Sequence, residues 1–240
     1  MSTPSHQGPE ASQIQSMFGT IAGGYDKANT VLSGGIHHIW KKRLIQWSGA
    51  RAGDRVLDCA TGTGDLAFAF QRKVGVTGNV VGTDFSPEML EVAKKKKASA
   101  DVAGLHFELA DVTQLSFGDA SFDIASISFG IRNVQDPVKG VSELGRVVRS
   151  GGRVMVLEFG QPRNTLFRKA YDFYSRHVLP TLGGWLTGQK DAYEYLEKSA
   201  AQFPCGEDFV ALMKQTGRFS LVEYETLTGG IAYLYRAVVK

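Results

Sequence analysis

The stretch VLDCATGTGDLA, Val56–Ala67, joins an apolar run to a glycine turn and then to the start of a helical pattern. Gly62 and Gly64 let the backbone turn tightly and come close to a ligand, and a helix that opens at Asp65 directs its N-terminus at the same place. The spacing Gly62-x-Gly64-x-x-Ala67 matches the dinucleotide-binding fingerprint. A tight turn without any ligand would explain the same residues. The neighbouring segments are therefore needed to distinguish a ligand-binding loop from a simple turn.

Around this loop, short apolar runs alternate with helical periodicity. The predicted strands are 55–60, 79–84, 105–109, 122–129 and 152–159, and the predicted helices are 65–74, 87–99 and 137–148. This alternation is typical of βαβ units, and strands that are apolar throughout are typical of a parallel sheet covered on both faces. Ser86 and Pro87 suit the N-cap and first position of the second helix. After a short helix at 207–216, two further strands flank the turn residues LTGG and predict a hairpin.

The length of 240 residues, 43% of them hydrophobic, suffices for one packed core, so we predict a single domain over 16–240. Residues 1–15 are polar and predict a mobile tail. Two segments, 16–50 before the sheet and 160–204 within it, are expected to cap a substrate pocket. The second is rich in aromatic residues and irregular, with helices expected near 166–178 and 191–201.

The charge balance and the cysteines exclude several classes of protein. A net charge of +3 does not indicate a nucleic-acid-binding protein, and the lysine run 94–97 suits either a solvated helix face or an anionic membrane surface. Cys59 and Cys205 lie far apart, which predicts no disulfide, a reducing compartment and no metal site. The sequence shows neither a secretory signal nor an apolar run long enough to span a membrane.

Three carboxylates follow three successive predicted strands. Asp58 lies just before the glycine loop, Asp84 lies 20 residues beyond Gly64, and Asp111 comes after the third strand. Ligands of open parallel sheets bind outside the carboxyl ends of the strands, so these side chains are expected to line one crevice. They could meet an ammonium group, two ribose hydroxyls and an adenine amino group. Carboxylates without a partner arginine suit a cationic adenosine ligand better than a pyrophosphate.

This combination resembles the class I S-adenosylmethionine-dependent methyltransferases. The resemblance implies a Rossmann-like α/β fold with a seven-stranded sheet, a C-terminal antiparallel hairpin, and S-adenosyl-L-methionine as the cofactor. Further segments of the chain restrict the resemblance to one family of these methyltransferases. They are MFGTIAGGYDKANTVLSGGIHHIWKK, LDCATGTGD, GTDFSPEML, SFGIRN, VLEFGQP, YSRHVLP, YEYLEKSAAQFP and GGIAYLYRA. Together, from Met17 to Ala237, they are similar to the ubiquinone/menaquinone C-methyltransferase family. Gly160 and Glu197 depart from that family's common residues and concern the rim of the pocket.

The family resemblance implies an activity and a set of cofactor contacts. The activity is C-methylation of demethylmenaquinol, of 2-polyprenyl-6-methoxy-1,4-benzoquinol, or of both. The cofactor contacts fall on Thr63, Asp84, Asp111 with Val112, and Ser128, beside Asp58, Gly62 and Gly64 from the loop itself. A ring carbon becomes nucleophilic only when a neighbouring hydroxyl ionises, so the quinol and not the quinone has to be the substrate.

The stretch SFGIRNVQD, 128–136, places Arg132 and Asn133 where the fourth strand ends. The hypothesis is that Arg132 lowers the pKa of the quinol and that Asn133 orients a ring hydroxyl. Tyr25 and Asp26, from the N-terminal segment, would close over the ring. A surface salt bridge or a loop anchor would also explain Arg132, and core packing would also explain Tyr25. His37 and His38 suit exposed or capping positions as well as they suit bases.

The substrate's tail requires an apolar groove, and the insert offers aromatic and aliphatic side chains that could equally pack a core. They are Phe167, Tyr171, Phe173, Tyr174, Val178, Leu179, Leu182 and Trp185. Because the quinol lives in a bilayer, we expect a cytoplasmic enzyme in peripheral contact with the inner face of the membrane. The partners expected are the polyprenylated quinol, no nucleic acid, and a second copy if the chain forms a homodimer.

Three other functions share parts of this pattern. A nicotinamide-dependent dehydrogenase has the glycine loop, but the sequence shows no hydride-transfer residues and does have the C-terminal hairpin. A methyltransferase for another small molecule would have the same fold. A non-catalytic quinone-binding scaffold would require a damaged cofactor loop, whereas LDCATGTGD is intact.

Overall fold

The computed structural model describes Pro9 and residues 11–100 and 102–240. The strands are β1 Arg55–Cys59, β2 Asn79–Asp84, β3 Leu105–Leu109, β4 Phe122–Ser128, β5 Val148–Phe159, β6 Phe219–Leu227 and β7 Ala232–Val239. The α-helices are α1 Ala11–Ile21, α2 Tyr25–Leu32, α3 Ile36–Ser48, α4 Asp65–Val74, α5 Pro87–Ala100, α6 Pro137–Val147, α7 Thr165–Phe173, α8 Leu179–Thr187, α9 Lys190–Gln202 and α10 Glu207–Gln215. A π-helical turn, Tyr174–Val178, connects α7 to α8.

The strands form one sheet in the order β3-β2-β1-β4-β5-β7-β6. The first five strands run parallel, and β7 is antiparallel to both β5 and β6, which confirms the predicted α/β class and the terminal hairpin. The strand order reverses between β1 and β4. In open α/β sheets the crevice at such a reversal is where ligands bind.

Apolar side chains pack against both faces of the sheet, which explains why the central strands are mostly apolar. On one face α6 and α10 pack on the sheet, with Leu144 and Phe209 fully buried. On the other face α3, α4 and α5 do so, with Leu44 and Phe70 fully buried. A third cluster joins α1 and α2 to α5 and α9, so the cap segments are packed onto the domain.

The structure corrects the predictions at two places along the sheet and the insert. β5 begins at Val148, four residues earlier than predicted, because residues 149–152 bulge out opposite Asp123 with Gly151 at φ 73°. The insert is mainly helical, not irregular, and α8 was missed because Pro180 and two glycines break helices in isolation. Packing overrides this weakness: a Cβ on Gly183 would lie 2.4 Å from the ring of Tyr193 on α9.

The predicted tail, 1–15, lies partly outside the described residues, and from Ala11 onward the chain is helical. Gln15 donates a hydrogen bond to the Phe85 carbonyl oxygen after β2, at 3.0 Å. The division into one domain with two cap segments stays a prediction.

Candidate active site

The glycine loop connects β1 to α4 and leaves open space beside its backbone. Gly62 and Gly64 have φ of 57° and 88°, which L side chains rarely adopt. A Cβ on Gly62 would meet nothing within 4 Å, whereas one on Gly64 would lie 2.8 Å from the ring of Phe107. Gly62 therefore leaves space for a ligand, and Gly64 lets the loop pack on β3.

The Asp84 carboxylate holds this loop in place. One of its oxygens accepts from the Gly62 backbone N–H at 2.8 Å, and the other accepts from the Ser86 N–H at 2.9 Å. Burial raises the pKa of Asp84, and these backbone donors oppose the rise. Each oxygen keeps a further lone pair, so the carboxylate can hold the loop and accept hydroxyl groups as well.

Asp58 is the most deeply buried carboxylate of the site. Its two oxygens accept from the Thr61 and Ser126 hydroxyls, both at 2.7 Å. Burial raises the pKa of Asp58 to about 6, although both hydroxyls oppose the rise. A buried carboxylate with this pKa is poised to pair with a cation.

The backbone is strained beside the loop and at the end of β4. Ala60 and Phe129 have φ of 48° and 56°, in the region that favours glycine. The Ser128 hydroxyl, just before Phe129, is buried and has no hydrogen-bond partner among the described residues. A buried polar atom without a partner costs free energy, so a hydroxyl that lines a cavity in this state is suited to meeting a ligand.

Arg132 is buried in an ion pair that the sequence did not reveal. Its Nη1 lies 2.7 Å from Glu158 Oε1 on β5 and 2.6 Å from the Phe129 carbonyl oxygen. Its Nε donates to the Ser199 hydroxyl at 3.3 Å, and the guanidinium lies over the Phe159 ring, 5.4 Å from its centroid. The loop-anchor alternative is therefore part of its role, and the same side chain also faces a cavity.

Two cavities meet at the carboxyl ends of the strands, and Ala60 lines both. The cap cavity, about 750 Å³, lies between the loop, the end of β4 and the two cap segments. The strand-end cleft, about 1210 Å³, lies along the ends of β2, β3 and β4 and beside α10. The predicted residues in the wall of the cap cavity are Tyr25, Asp58, Gly62, Thr63, Ser128 and Arg132. Those in the wall of the strand-end cleft are Asp111, Val112 and Asn133.

Arg132 and Asn133 thus face different cavities although they are neighbours in the sequence. The Asn133 Oδ1 accepts a hydrogen bond from the Tyr195 hydroxyl at 3.0 Å, and Tyr195 lines the cap cavity. On the other side of the cleft, the exposed Asp111 carboxylate accepts from the Thr113 N–H at 2.8 Å. The predicted residues therefore form two neighbouring groups, apart from Gly64 and Asp84, which line neither cavity and lie beside the loop.

Aromatic and aliphatic side chains from both cap segments line the cap cavity. They include Met17, Phe18, Ile21, Leu32, Ile36, Trp40, Phe167, Tyr171, Tyr174, Leu179 and Leu182. The expectation that the insert offers an apolar groove is met by five of its eight named residues. Phe173 and Trp185 are exposed instead, and Val178 does not line the cavity.

Of the two histidines of the N-terminal segment, His38 is exposed as expected, whereas His37 is buried in the cavity wall. The His37 Nδ1 lies 2.7 Å from the Ser33 hydroxyl, and the centroids of the two imidazole rings lie 3.9 Å apart, with the rings tilted by 39°. Burial, with help from Lys41, lowers the pKa of His37 to about 4, so the imidazole is neutral at neutral pH. Burial also raises the pKa of Tyr25, which keeps its phenol protonated.

Three charged residues and one hydroxyl hold α2 against the cofactor loop. We call this group the latch; its members are Asp26, Thr63, Asp65 and Lys96. Asp26 accepts from the Thr63 hydroxyl at 2.5 Å and from the Lys96 ammonium, which also contacts Asp65 at 3.1 Å. The sequence analysis assigned Asp26 to the ring and Lys96 to a solvated helix face, and nothing in the sequence linked these two residues, which lie 70 positions apart.

A family model matches residues 6–239, and its description is the ubiE/COQ5 methyltransferase family. The chain belongs to the ubiE/COQ5 methyltransferase family. Two relatives carry the name ubiquinone/menaquinone biosynthesis C-methyltransferase UbiE. The one from Bdellovibrio bacteriovorus is 58% identical over 98% of this chain and 100% of its own length. The one from Stutzerimonas stutzeri is 43% identical over 95% of this chain and 90% of its own length.

Solved structures of low sequence identity share the fold of this ubiE/COQ5 family member. A methyltransferase from Aquifex aeolicus aligns with a TM-score of 0.61 and 15% identity, covering 83% of this chain and 89% of its own. Haemonchus contortus phosphoethanolamine N-methyltransferase 2, in complex with S-adenosyl-L-methionine, aligns with a TM-score of 0.62 and 18% identity. The alignment covers 83% of this chain and 52% of that one. The [4+2]-cyclase SpnF aligns at 0.65 and 14%, covering 99% of each chain.

The cofactor of this ubiE/COQ5 family member is S-adenosyl-L-methionine, and the residues of the site fit it. The open space beside Gly62, the buried carboxylates Asp58 and Asp84, and the unpartnered Ser128 hydroxyl supply the polar groups that an amino acid and a ribose require. The strand-end cleft beside Asp111 leaves room for an adenine. Among the described residues, no three His, Cys, Asp or Glu side chains lie together as a metal site.

Proposed function

We propose that this chain methylates a ring carbon of a polyprenylated quinol, either demethylmenaquinol or 2-polyprenyl-6-methoxy-1,4-benzoquinol or both. One observation carries the proposal: an apolar cavity of about 750 Å³ shares its wall with the cofactor loop. The ring would lie at the polar end beside Arg132, and the prenyl tail would lie along the aromatic residues of the cap segments. The printed names of the two relatives support the same substrate class.

The reaction would break the bond between the methyl group and the sulfonium sulfur, which keeps the electron pair and becomes a neutral thioether. It would form a carbon–carbon bond to the ring and release one ring proton. S-adenosyl-L-methionine supplies a methyl group bound to a positively charged sulfur. The chain has to hold the ring carbon about 3–3.5 Å from the reacting methyl carbon and to favour ionisation of a neighbouring hydroxyl. The apolar wall excludes water, which strengthens every charge interaction inside the cavity.

Arg132 is proposed to stabilise the ionised ring hydroxyl. Its guanidinium lines the cavity, and no described residue bonds to its Nη2, so the two N–H groups of Nη2 remain for a substrate oxygen or a water. The Glu158 carboxylate offsets part of its charge but fixes its position. Preorganised donors of this kind stabilise charge that develops during a reaction.

Tyr25 and Asn133 are proposed to orient the ring. Tyr25 lines the cap cavity, and its phenol can donate a hydrogen bond because its pKa is raised. Asn133 faces the strand-end cleft, so its effect on the ring would pass through its hydrogen bond with Tyr195.

The experiment for Arg132 has to separate its charge from its structural role. Arg132→Ala leaves the buried Glu158 carboxylate without its opposite charge, which costs about 3–5 kcal/mol of stability. We therefore expect Arg132→Lys, which keeps a cation, to fold and to lose roughly 100-fold or more in kcat at pH 7. Part of this loss should be recovered as pH rises, because hydroxide then ionises the quinol. Glu158→Gln is the matched control, and an unchanged kcat in Arg132→Lys would contradict the role.

The function itself is tested by offering both reduced quinols side by side with labelled S-adenosyl-L-methionine. Labelled product from either quinol supports the proposal, and the ratio of products identifies the preferred ring. No product from both, with the cofactor still bound, would indicate another acceptor.

The place of the reaction and the assembly of the chain are also proposals. Because the proposed substrate resides in the bilayer, we propose that the enzyme is cytoplasmic and contacts the inner face of the membrane peripherally. Among the described helices, none is both long and apolar enough to cross a bilayer. A homodimer is part of the proposal, and sedimentation of the full chain would decide it.

A further inference from the structure

Exposed apolar residues lie at the entrance of the cap cavity and on the two helices α7 and α8, which supply part of its wall. Val31, Phe167 and Leu182 line the cavity and are also 52%, 39% and 41% exposed, so they mark its opening to solvent. Leu166, Phe173 and Trp185 are more exposed still, at 79%, 64% and 82%. We call these six residues the entrance patch. Of the ten large exposed hydrophobic residues in the described chain, seven lie in the cap segments, so they are not scattered evenly.

The helix α7 is apolar on two faces, and the protein covers neither completely. Phe167 and Tyr171 share the face that lines the cap cavity, and Tyr174, the first residue of the π-helical turn, lines it too. Leu166 and Phe173 lie two turns apart, which places them together on another face, toward solvent. No residue of α7 is buried. A second apolar face in water is unfavourable in a free molecule, which indicates that something else covers it.

The charges of α7 favour an anionic partner. Arg168 and Lys169 face a single acidic residue in the helix, Asp172, which lies 4.0 Å from Arg168. Lys169 is exposed, and no described residue pairs with it. Exposed Trp, Phe and Leu side chains bordered by Lys and Arg are the composition of helices that lie in the plane of a bilayer surface.

We propose that the entrance patch docks on a lipid bilayer containing anionic headgroups, with the cap cavity opening directly into the lipid. The proposal rests on the proposed function, because a prenyl tail is what would pass through this opening. In this arrangement the tail moves from lipid to apolar wall without exposure to water, and the cost of hydrating it is avoided. The occupant is the lipid surface itself, in preference to a protein partner or a second copy.

The test is sedimentation of the full chain with vesicles of phosphatidylcholine alone and of phosphatidylcholine with phosphatidylglycerol. We expect the wild type to bind the anionic vesicles more tightly. The variant Leu166→Ser/Phe173→Ser/Trp185→Ser should lose roughly tenfold or more in partitioning, and Lys169→Gln should lose only the preference for phosphatidylglycerol. The matched control is Val76→Ser/Leu221→Ser, which removes exposed apolar residues elsewhere in the chain.

Two outcomes would overturn the proposal. In one, the wild type does not bind either kind of vesicle, or the triple variant binds as the wild type does. In the other, the wild type is a dimer that the triple variant splits into monomers, with equal vesicle binding by both, which would assign the patch to a second copy.

Methylation of a short-tailed, water-soluble quinol separates this proposal from the proposed function. The triple variant should keep that activity, since its three residues do not line the cavity, and should lose activity on long-tailed quinol in vesicles. If the wild type methylates neither quinol, the proposed function fails while vesicle binding still decides the docking.

Discussion

At the scale of single residues, the site depends on carboxylates that are costly to bury. Asp58 illustrates this, because the sequence placed it at the loop but did not reveal that Thr61 and Ser126 enclose it. An ionised group at such a position reduces stability, and proteins keep such groups where a ligand needs them.

The pKa of Asp58 predicts a pH-dependent gain in stability for Asp58→Asn. Its pKa of about 6 in the folded chain exceeds the value of about 3.9 expected when unfolded. Between these pH values the folded state holds a proton that the unfolded state lacks, so the wild type loses stability as pH rises through this range. Denaturant unfolding at pH 8 should show Asp58→Asn to be more stable by up to about 3 kcal/mol.

The same comparison near pH 4 should show the two chains to be nearly equal, because Asp58 is then protonated in the folded state. Titration with S-adenosyl-L-methionine should show weaker binding by the variant at pH 8. A variant that is no more stable than the wild type at pH 8 would contradict the prediction.

At the scale of elements, α2 is held over the cofactor loop by the latch and not by its own helical propensity. The helix has eight residues, which is too short to be stable alone. The Asp26 carboxylate joins it to the loop through Thr63 and to α5 through Lys96.

Asp26→Ala is expected to loosen this cover without disrupting the sheet. Hydrogen exchange should become faster in α1 and α2 and stay unchanged in β1 and β4. The dissociation rate of S-adenosyl-L-methionine should rise roughly tenfold, as expected for the loss of charge-assisted hydrogen bonds. Lys27→Gln, an exposed neighbour, is the control, and equal exchange in α2 of both variants would exclude the latch.

At the scale of the whole molecule, cofactor binding should stabilise the fold because the residues proposed to contact the cofactor come from β1, β2 and β4 together. At 100 times the dissociation constant, S-adenosyl-L-methionine adds about 2.7 kcal/mol to the free energy of unfolding, which raises Tm by roughly 5–10 °C in a domain of this size. Asp84→Ala should lose most of this shift, in addition to a lower Tm of its own, because Gly62 N–H loses its acceptor. A full shift in that variant would remove Asp84 from the cofactor site.

The local pattern of the sequence was sufficient to predict the strands and helices of the parallel part of the sheet. Alternation of apolar runs and helical periodicity located β1 to β4 and α4 to α6 within a few residues, because each of these elements carries its own turn and cap signals. Asp136 shows the principle, since its side chain accepts from the Lys139 N–H and starts α6. The positions of the glycine loop and Asp84 could be predicted for the same reason. The cofactor and the substrate class were predicted from the segments that resemble the family.

Contacts between distant parts of the chain decided everything that the local pattern did not contain. Two ion pairs join residues that are far apart in the sequence: Arg132 with Glu158, and Asp26 with Lys96. The fold also separates the sequence neighbours Arg132 and Asn133, which line different cavities. The helix α8 formed against its own propensity because Gly183 packs on Tyr193. Free energies of burial and of charge pairing belong to the folded arrangement, and no single segment of sequence contains them.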